Sequence, residues 1–356
     1  MDIYSIFMFI AILTYAFTVH IAASEVKKQK YKKQYCILMG IFLFLIAALR
    51  STSVGIDSEA YSYLFYQVKG RSWERLYYYY PKETWFYIFM KLLTIISSDH
   101  QILFAVTGII FAYAISHFIY RYSKNCMLSF VMLIPMMYFS FTLTGLRQTI
   151  ALSIMLLSID LIVKRKVLYF ILSVWIASNF HQSAFLFLPA YFLTSKKVTD
   201  VRIIVYALAA PIVFVFRGQI ASIIQRFLYS SYSIEIEYQN TGGWTTLFIY
   251  FLIVFVSTIF KSISNREDKN FPFFYSMMFV GMCVQMFVPL QPNIFRVSMY
   301  YNIASIILIP LIISAQKEAI IRIFVYVLFF VLMGIQYYVF TFNAAGINPY
   351  RFFWQN

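Results

Sequence analysis

The chain has 356 residues, 62% hydrophobic and 12% charged, with a mean hydropathy of +0.73 and a formal net charge of +15. A soluble domain carries roughly 25% charged residues, so the composition excludes an ordinary soluble fold. It predicts an all-α, polytopic bundle of membrane helices forming a single integral membrane domain over residues 1–356. The positive balance does not indicate nucleic acid, because the basic residues lie in short loops between apolar runs and no basic domain stands apart.

In chain order, the apolar runs that qualify as spans are residues 3–23, 35–49, 102–120, 127–143, 149–163, 201–216, 244–260, 271–289, 297–315 and 320–340. A helix needs about 20 residues to cross about 30 Å of hydrocarbon, and tilt or thinning relaxes that. Counting short or re-entrant segments, about 11–13 membrane helices are expected. The first run lacks a basic region ahead of it and reads as a retained helix, not a cleaved signal. Lys27, Lys28, Lys30, Lys32 and Lys33 follow it and mark a cytoplasmic loop, which puts the N-terminus outside. Residues 164–166, 196–197 with Arg202, 261–269 and 317–322 are assigned to the same cytoplasmic side.

Two conflicts arise from this assignment. The basic stretches at 164–166 and 196–197 flank one apolar stretch yet require the same side, so that stretch is predicted to be a hairpin of two helices broken near 179–181. Residues 167–180 then reach only about 21 Å at 1.5 Å per residue, which leaves His181 recessed below the outer surface. Next, residues 83–97 and 102–120 cannot both be full spans if Arg121 and Lys124 are cytoplasmic. Residues 83–97, carrying Glu83, Trp85 and Lys91, are therefore predicted to form a short re-entrant or interfacial helix.

Outside remain Arg50, Asp57, Arg147, His181 and Arg296, with two longer loops at about 51–82 and 218–243. The first loop, with Trp73 and four tyrosines from 77 to 80, has the composition of an interfacial aromatic belt. The second contains Tyr229, Tyr232 and Tyr238, with Glu235 and Glu237. Cys36, Cys126 and Cys283 show no paired spacing and read as packing residues.

Three outward arginines define the candidate chemistry. Arg50 closes a membrane helix ahead of Gly55 and Asp57; it reads either as a snorkelling arginine or as an anion ligand. Arg147, followed by Gln148, starts a helix, where positive charge opposes the helix dipole; a bound anion would offset that penalty. Arg296 repeats the pattern after a proline-rich turn. Together they favour a phosphate or pyrophosphate ligand. His181, followed by Gln182, reads either as a core histidine at a helix break or as a general base for a sugar hydroxyl. Nearby positive charge is expected to keep it neutral. His20, His100 and His117 have no such setting. No HExxH, DxD, P-loop, GxGxxG or GxSxG pattern stands in a usable context, so no metal or other cofactor is expected.

These segments resemble a known family. RSTSVGID with its following tyrosine (50–61), YPKETWFYIFMKLL (80–93), GLRQTIALSI (145–154), NFHQSAFLFLPAY (179–191) and RVSMYY (296–301) are similar, in that order, to the EpsG family of Wzy-like polymerases. The resemblance implies a metal-independent glycosyltransferase at the outer face of the bacterial cytoplasmic membrane. Such an enzyme joins undecaprenyl-pyrophosphate-linked oligosaccharide repeat units into exopolysaccharide, capsule or O-antigen. Arg50, Arg147 and Arg296 match the family's arginines, and Asp57, Glu83, Gln148 and His181 its other polar positions; Gln182 and Tyr300 complete the expected substrate-binding set. His181 is the expected base, with Asp57 or Glu83 as rivals. Expected partners are membrane lipid, a flippase and a chain-length regulator. A flippase of lipid-linked oligosaccharide, an O-antigen ligase and a membrane acyltransferase remain as alternative readings.

Overall fold

The computed structural model describes residues 2–20, 24–193, 197–228, 243–342 and 346–355. It is helical throughout, and among these residues the one extended pairing is an isolated antiparallel bridge between Arg50 and Phe352. Contacts divide the chain into two compact units, Met1–Leu188 with Leu328–Asn356, and Pro189–Val327.

The first unit contains α1 (Ile3–Tyr15), α2 (Glu25–Ala48), α3 (Ser58–Gly70), α4 (Trp73–Tyr79), α5 (Thr84–Ile96), α6 (Gln101–Tyr122), α7 (Cys126–Met132), α8 (Tyr138–Thr144), α9 (Leu146–Val163) and α10 (Val167–Phe180). Asp2 starts α1 by accepting hydrogen bonds from the backbone N–H groups of Tyr4 and Ser5, as N-cap carboxylates do. The centre is the set α2, α6 and α9. Helix α2 runs antiparallel to α6, with Gln101 at the start of α6 donating to the Ala48 carbonyl at the end of α2. Helices α6 and α9 run parallel, with Tyr122 and Asp160 meeting at their C-terminal ends. One predicted span and one predicted loop change form. Residues 127–143 are not one helix but α7 and α8, separated by a turn in which Met137 adopts φ 64°. Pro135 explains the break, since it supplies no N–H and disfavours helix at the residue before it. Residues 51–82, expected as a loop, hold α3 and α4.

Helix α5 is short, about 20 Å at 1.5 Å per residue. Its buried face, with Phe86, Tyr87, Met90 and Leu93, lies in a cluster with Tyr61 and Phe65 of α3, Leu76 of α4, Leu103 and Phe104 of α6, and Leu146 and Ile150 of α9. Fully burying one such side chain contributes about 1.5–3 kcal/mol, so the position of α5 is set by apolar packing on several sides.

The second unit contains α11 (Asp200–Leu228), α12 (Trp244–Ile259), α13 (Lys261–Glu267), α14 (Phe271–Gln285), α15 (Phe295–Asn302) and α16 (Ser305–Ala315). Helix α13 folds the basic stretch after α12 into a helix bent 78° from it, and α15 meets α16 at 44°. A side chain at Gly281 would overlap Asn302, whose Nδ2 donates to the Gly281 carbonyl at 3.1 Å, so this glycine permits the close approach of α14 and α15. Helix α17 (Ala319–Gln336) follows.

By length and apolar composition, five helices among the described residues qualify as membrane spans, or up to seven if each bent pair counts as one; four shorter apolar helices accompany them. The chain is a polytopic helical membrane protein. The second predicted outer loop falls mostly at 229–242, outside the described residues, as does Lys196.

Candidate active site

Three helix ends meet around one carboxylate. Glu83 stands at the start of α5 with φ 55° and ψ 36°, a left-handed conformation that few non-glycine residues adopt. Such backbone strain is of order 1–3 kcal/mol and collects at functional positions. Here it follows Pro81 and Lys82, and it turns the chain sharply into α5. The Thr84 hydroxyl donates to the Tyr80 carbonyl at 2.7 Å, and the Tyr80 ring stacks on Tyr87 at 3.9 Å between centroids. These contacts hold the turn.

The Glu83 carboxylate accepts three hydrogen bonds. Arg147 Nη1, in the first turn of α9, donates to Oε2 at 2.7 Å. His181 Nδ1 lies 2.8 Å from Oε1, and the Gln182 backbone N–H donates to the same oxygen at 3.1 Å. The carboxylate and imidazole are nearly enclosed, with side-chain exposures of 11% and 13%, whereas Arg147 is 36% exposed. Burial pulls the Glu83 carboxyl toward a higher pKa. The hydrogen bond and charge of His181, the Arg147 charge and the Gln182 amide outweigh it, holding Glu83 below its ordinary value.

With Glu83 ionised, the ring nitrogen facing it must carry the proton, so His181 Nδ1–H donates to Oε1. That tautomer leaves Nε2 as a lone-pair nitrogen without a protein partner among the described residues. The pairing suits a histidine base, since the carboxylate orients the ring and stabilises the imidazolium formed when Nε2 takes a proton.

The predicted break before His181 is present. Helix α10 ends at Phe180, His181 is extended, and the chain returns as a 3-10 helix, Gln182–Phe192, instead of a second α-helix. Edge-to-face contacts of Trp85 with Trp175 and Phe180, at 5.1 and 6.3 Å, tie α5 to α10 beside the break. The anion expected to offset the charge of Arg147 at a helix start is met in part by the chain itself, as Glu83. Arg147 Nε also lies 3.5 Å from the Tyr61 hydroxyl. Tyr61, buried on α3, was not among the candidate site residues, although it lies within the first family-like segment.

The other candidates are placed differently. Gln148 is buried, and Gln182 contributes its backbone N–H while the residue is exposed. Asp57 precedes α3, is partly exposed and makes no side-chain cap hydrogen bond. Arg50, expected to face outward, is buried, with N–H groups on the carbonyls of Ala47 and Leu143. Arg296, half-buried, and Tyr300, buried, lie on α15 of the second compact unit. His117, expected to be structural, sits at the other end of α6 and α9, 3.4 Å from Asp160, a carboxylate that also accepts from Tyr122. Among the described residues no group of three or more histidine, cysteine, aspartate or glutamate side chains gathers as a metal site.

A family profile described as the EpsG family matches residues 33–352. No curated protein and no solved structure matches the chain.

Proposed function

We propose an activity from one premise: the chain belongs to the EpsG family. It is an oligosaccharide repeat-unit polymerase of the bacterial cytoplasmic membrane, working at the outer face on undecaprenyl-pyrophosphate-linked substrates to make exopolysaccharide, capsule or O-antigen. The observation that carries this reading is the Glu83 carboxylate, which holds a histidine base on one oxygen and an arginine on the other.

In the transfer, His181 Nε2 takes the proton of the acceptor sugar hydroxyl. The hydroxyl oxygen forms a bond to the anomeric carbon of the donor chain. The bond from that carbon to the pyrophosphate oxygen breaks, its electron pair leaves with the lipid pyrophosphate, and the configuration inverts. Arg147, more than a third exposed, is positioned to meet the charge on the departing group through a planar, two-pronged guanidinium. The proton on His181 then returns to water. Glu83 is the partner of the base, not the base itself: both its oxygens are occupied and its pKa is lowered. The family likeness adds Arg296 and Tyr300 as further pyrophosphate or sugar contacts. A flippase and a chain-length regulator are the expected protein partners.

Deletion of the gene in its host tests the class of function. The polymerase reading expects single repeat units still attached to the surface acceptor. Loss of all surface sugar would instead indicate a flippase, and full-length chains left unattached would indicate a ligase.

A further inference from the structure

Arg50 is the buried cation that the transfer step does not use. It is 1% exposed, and among the described residues no carboxylate pairs with it. Nη1 donates to the Ala47 carbonyl at 2.6 Å, Nη2 donates to the Leu143 carbonyl at 3.2 Å, and the guanidinium carbon lies 4.0 Å from the centroid of Phe104. Ala47 is in the last turn of α2 and Leu143 in the last turn of α8. Carbonyls there have lost their place in the helical hydrogen-bond series, and each helix C-terminus carries roughly half a negative charge. The two carbonyl-bearing ends and the Phe104 ring face offset part of the guanidinium charge where no acid among the described residues does so.

The acceptor at Leu143 is held from other sides as well. Ser58 Oγ donates to it at 3.0 Å, and Gly55, at φ +96°, packs so closely that a side chain there would overlap the carbonyl. Two residues beyond Leu143 the helix breaks at Gly145, and Arg147 follows in the first turn of α9. The backbone of Arg50 is itself anchored. Gln101 Nε2 donates to its carbonyl at 3.0 Å, and Ser51 N donates to the Arg351 carbonyl at 2.9 Å.

We propose that Arg50 is a positioning residue for sugar-chain transfer: by closing the C-termini of α2 and α8 it fixes the helix break that aims Arg147 at Glu83 and at the substrate pyrophosphate. It does not touch the substrate. The kinetic part of this inference rests on the polymerase reading above; the structural part does not.

The test uses the full chain in nanodiscs with a synthetic lipid-linked repeat unit, and inorganic pyrophosphate as a competing probe. Arg50→Met is expected to lower kcat by about tenfold or more while donor KM and pyrophosphate inhibition change by less than about threefold. Arg50→Lys, whose ammonium can still donate to carbonyl groups, is expected to recover part of kcat. Arg147→Lys is the reference and is expected to raise donor KM. Hydrogen exchange at residues 145–149 is read in the same samples and is expected to rise in Arg50→Met, whether or not transfer is seen. If Arg50→Met fails to insert, Ser58→Ala removes the other side-chain donor to Leu143 and is expected to lower kcat at unchanged KM. The proposal is overturned if either variant weakens pyrophosphate inhibition as strongly as Arg147→Lys, if kcat is unchanged, or if exchange at 145–149 is unchanged. Absence of transfer by the wild-type chain, with exchange still raised in Arg50→Met, would defeat the polymerase reading and leave the positioning of Arg147 standing.

Discussion

Replacing Glu83 by glutamine keeps the shape of the side chain and removes its charge. The amide oxygen can still accept from His181 Nδ1 and the Gln182 N–H, which hold Oε1 at 2.8 and 3.1 Å. Its amino group, however, would face the Arg147 donor that now lies 2.7 Å from Oε2, so the arginine must move away. In the ground state the loss is small, because Arg147 is 36% exposed and water can solvate it; such pairs contribute about 0–1 kcal/mol. In the transition state the loss is large, because His181 becomes an imidazolium. A unit charge about 4 Å from the carboxylate is stabilised by about 4 kcal/mol at an effective dielectric of about 20. At about 1.4 kcal/mol per tenfold, this corresponds to about three powers of ten in turnover. The assay is extension of a lipid-linked repeat unit by purified Glu83→Gln protein, with thermal melting in detergent to show that it is folded. A folded variant that retains turnover within about threefold of wild type would refute the argument that this carboxylate supports the base.

Further outcomes follow from the same geometry. Arg147→Lys keeps the charge but not the two-pronged donor set, so donor KM should rise by about tenfold or more while insertion is normal; an unchanged KM would reduce Arg147 to a surface charge. Gly55→Ala places a side chain onto the Leu143 carbonyl at a backbone angle that favours glycine, so yield and melting temperature should fall by an amount matching about 2 kcal/mol or more; a melting temperature equal to wild type would contradict the packing. The lowered pKa of Glu83 means that its stabilising contribution is fully present above the ordinary carboxylate range and is lost as pH falls through and below that range. Wild type should therefore lose stability relative to Glu83→Gln as pH falls through and below the carboxylate range; a difference that is flat through that range would contradict the ion-pair geometry.

Much of the fold is legible in the sequence because membrane segments announce themselves through length and apolarity. The break at His181 is expected from two basic stretches, 164–166 and 196–197, assigned to the same side of a membrane, and the helix does end at Phe180. The shortness of α5 follows from the parity of the same count. Pro135, which splits the span predicted at 127–143, was also visible in the sequence, but hydropathy averages over a proline. The position of Glu83 at the centre was not legible. Its role depends on a left-handed backbone and on three helix ends, far apart in sequence, arriving at one point. Arg50 shows the opposite difficulty: a cation at a helix end reads as a surface charge, and only the tertiary arrangement shows that two helix C-termini can surround it. The family-like segments are linked in space: Gly55 and Ser58 of the first contact Leu143, just ahead of the segment 145–154, and Tyr61 contacts Arg147 within it.

The most direct measurement places the purified protein in lipid vesicles with one lipid-linked repeat unit and follows chain length and released lipid pyrophosphate together. Wild type should give chains of several repeats, with one lipid pyrophosphate released per linkage. His181→Ala, folded and inserted, should leave single units and release none. Long chains from His181→Ala, or no extension by the wild-type protein, would contradict the assignment of this site to sugar-chain polymerisation.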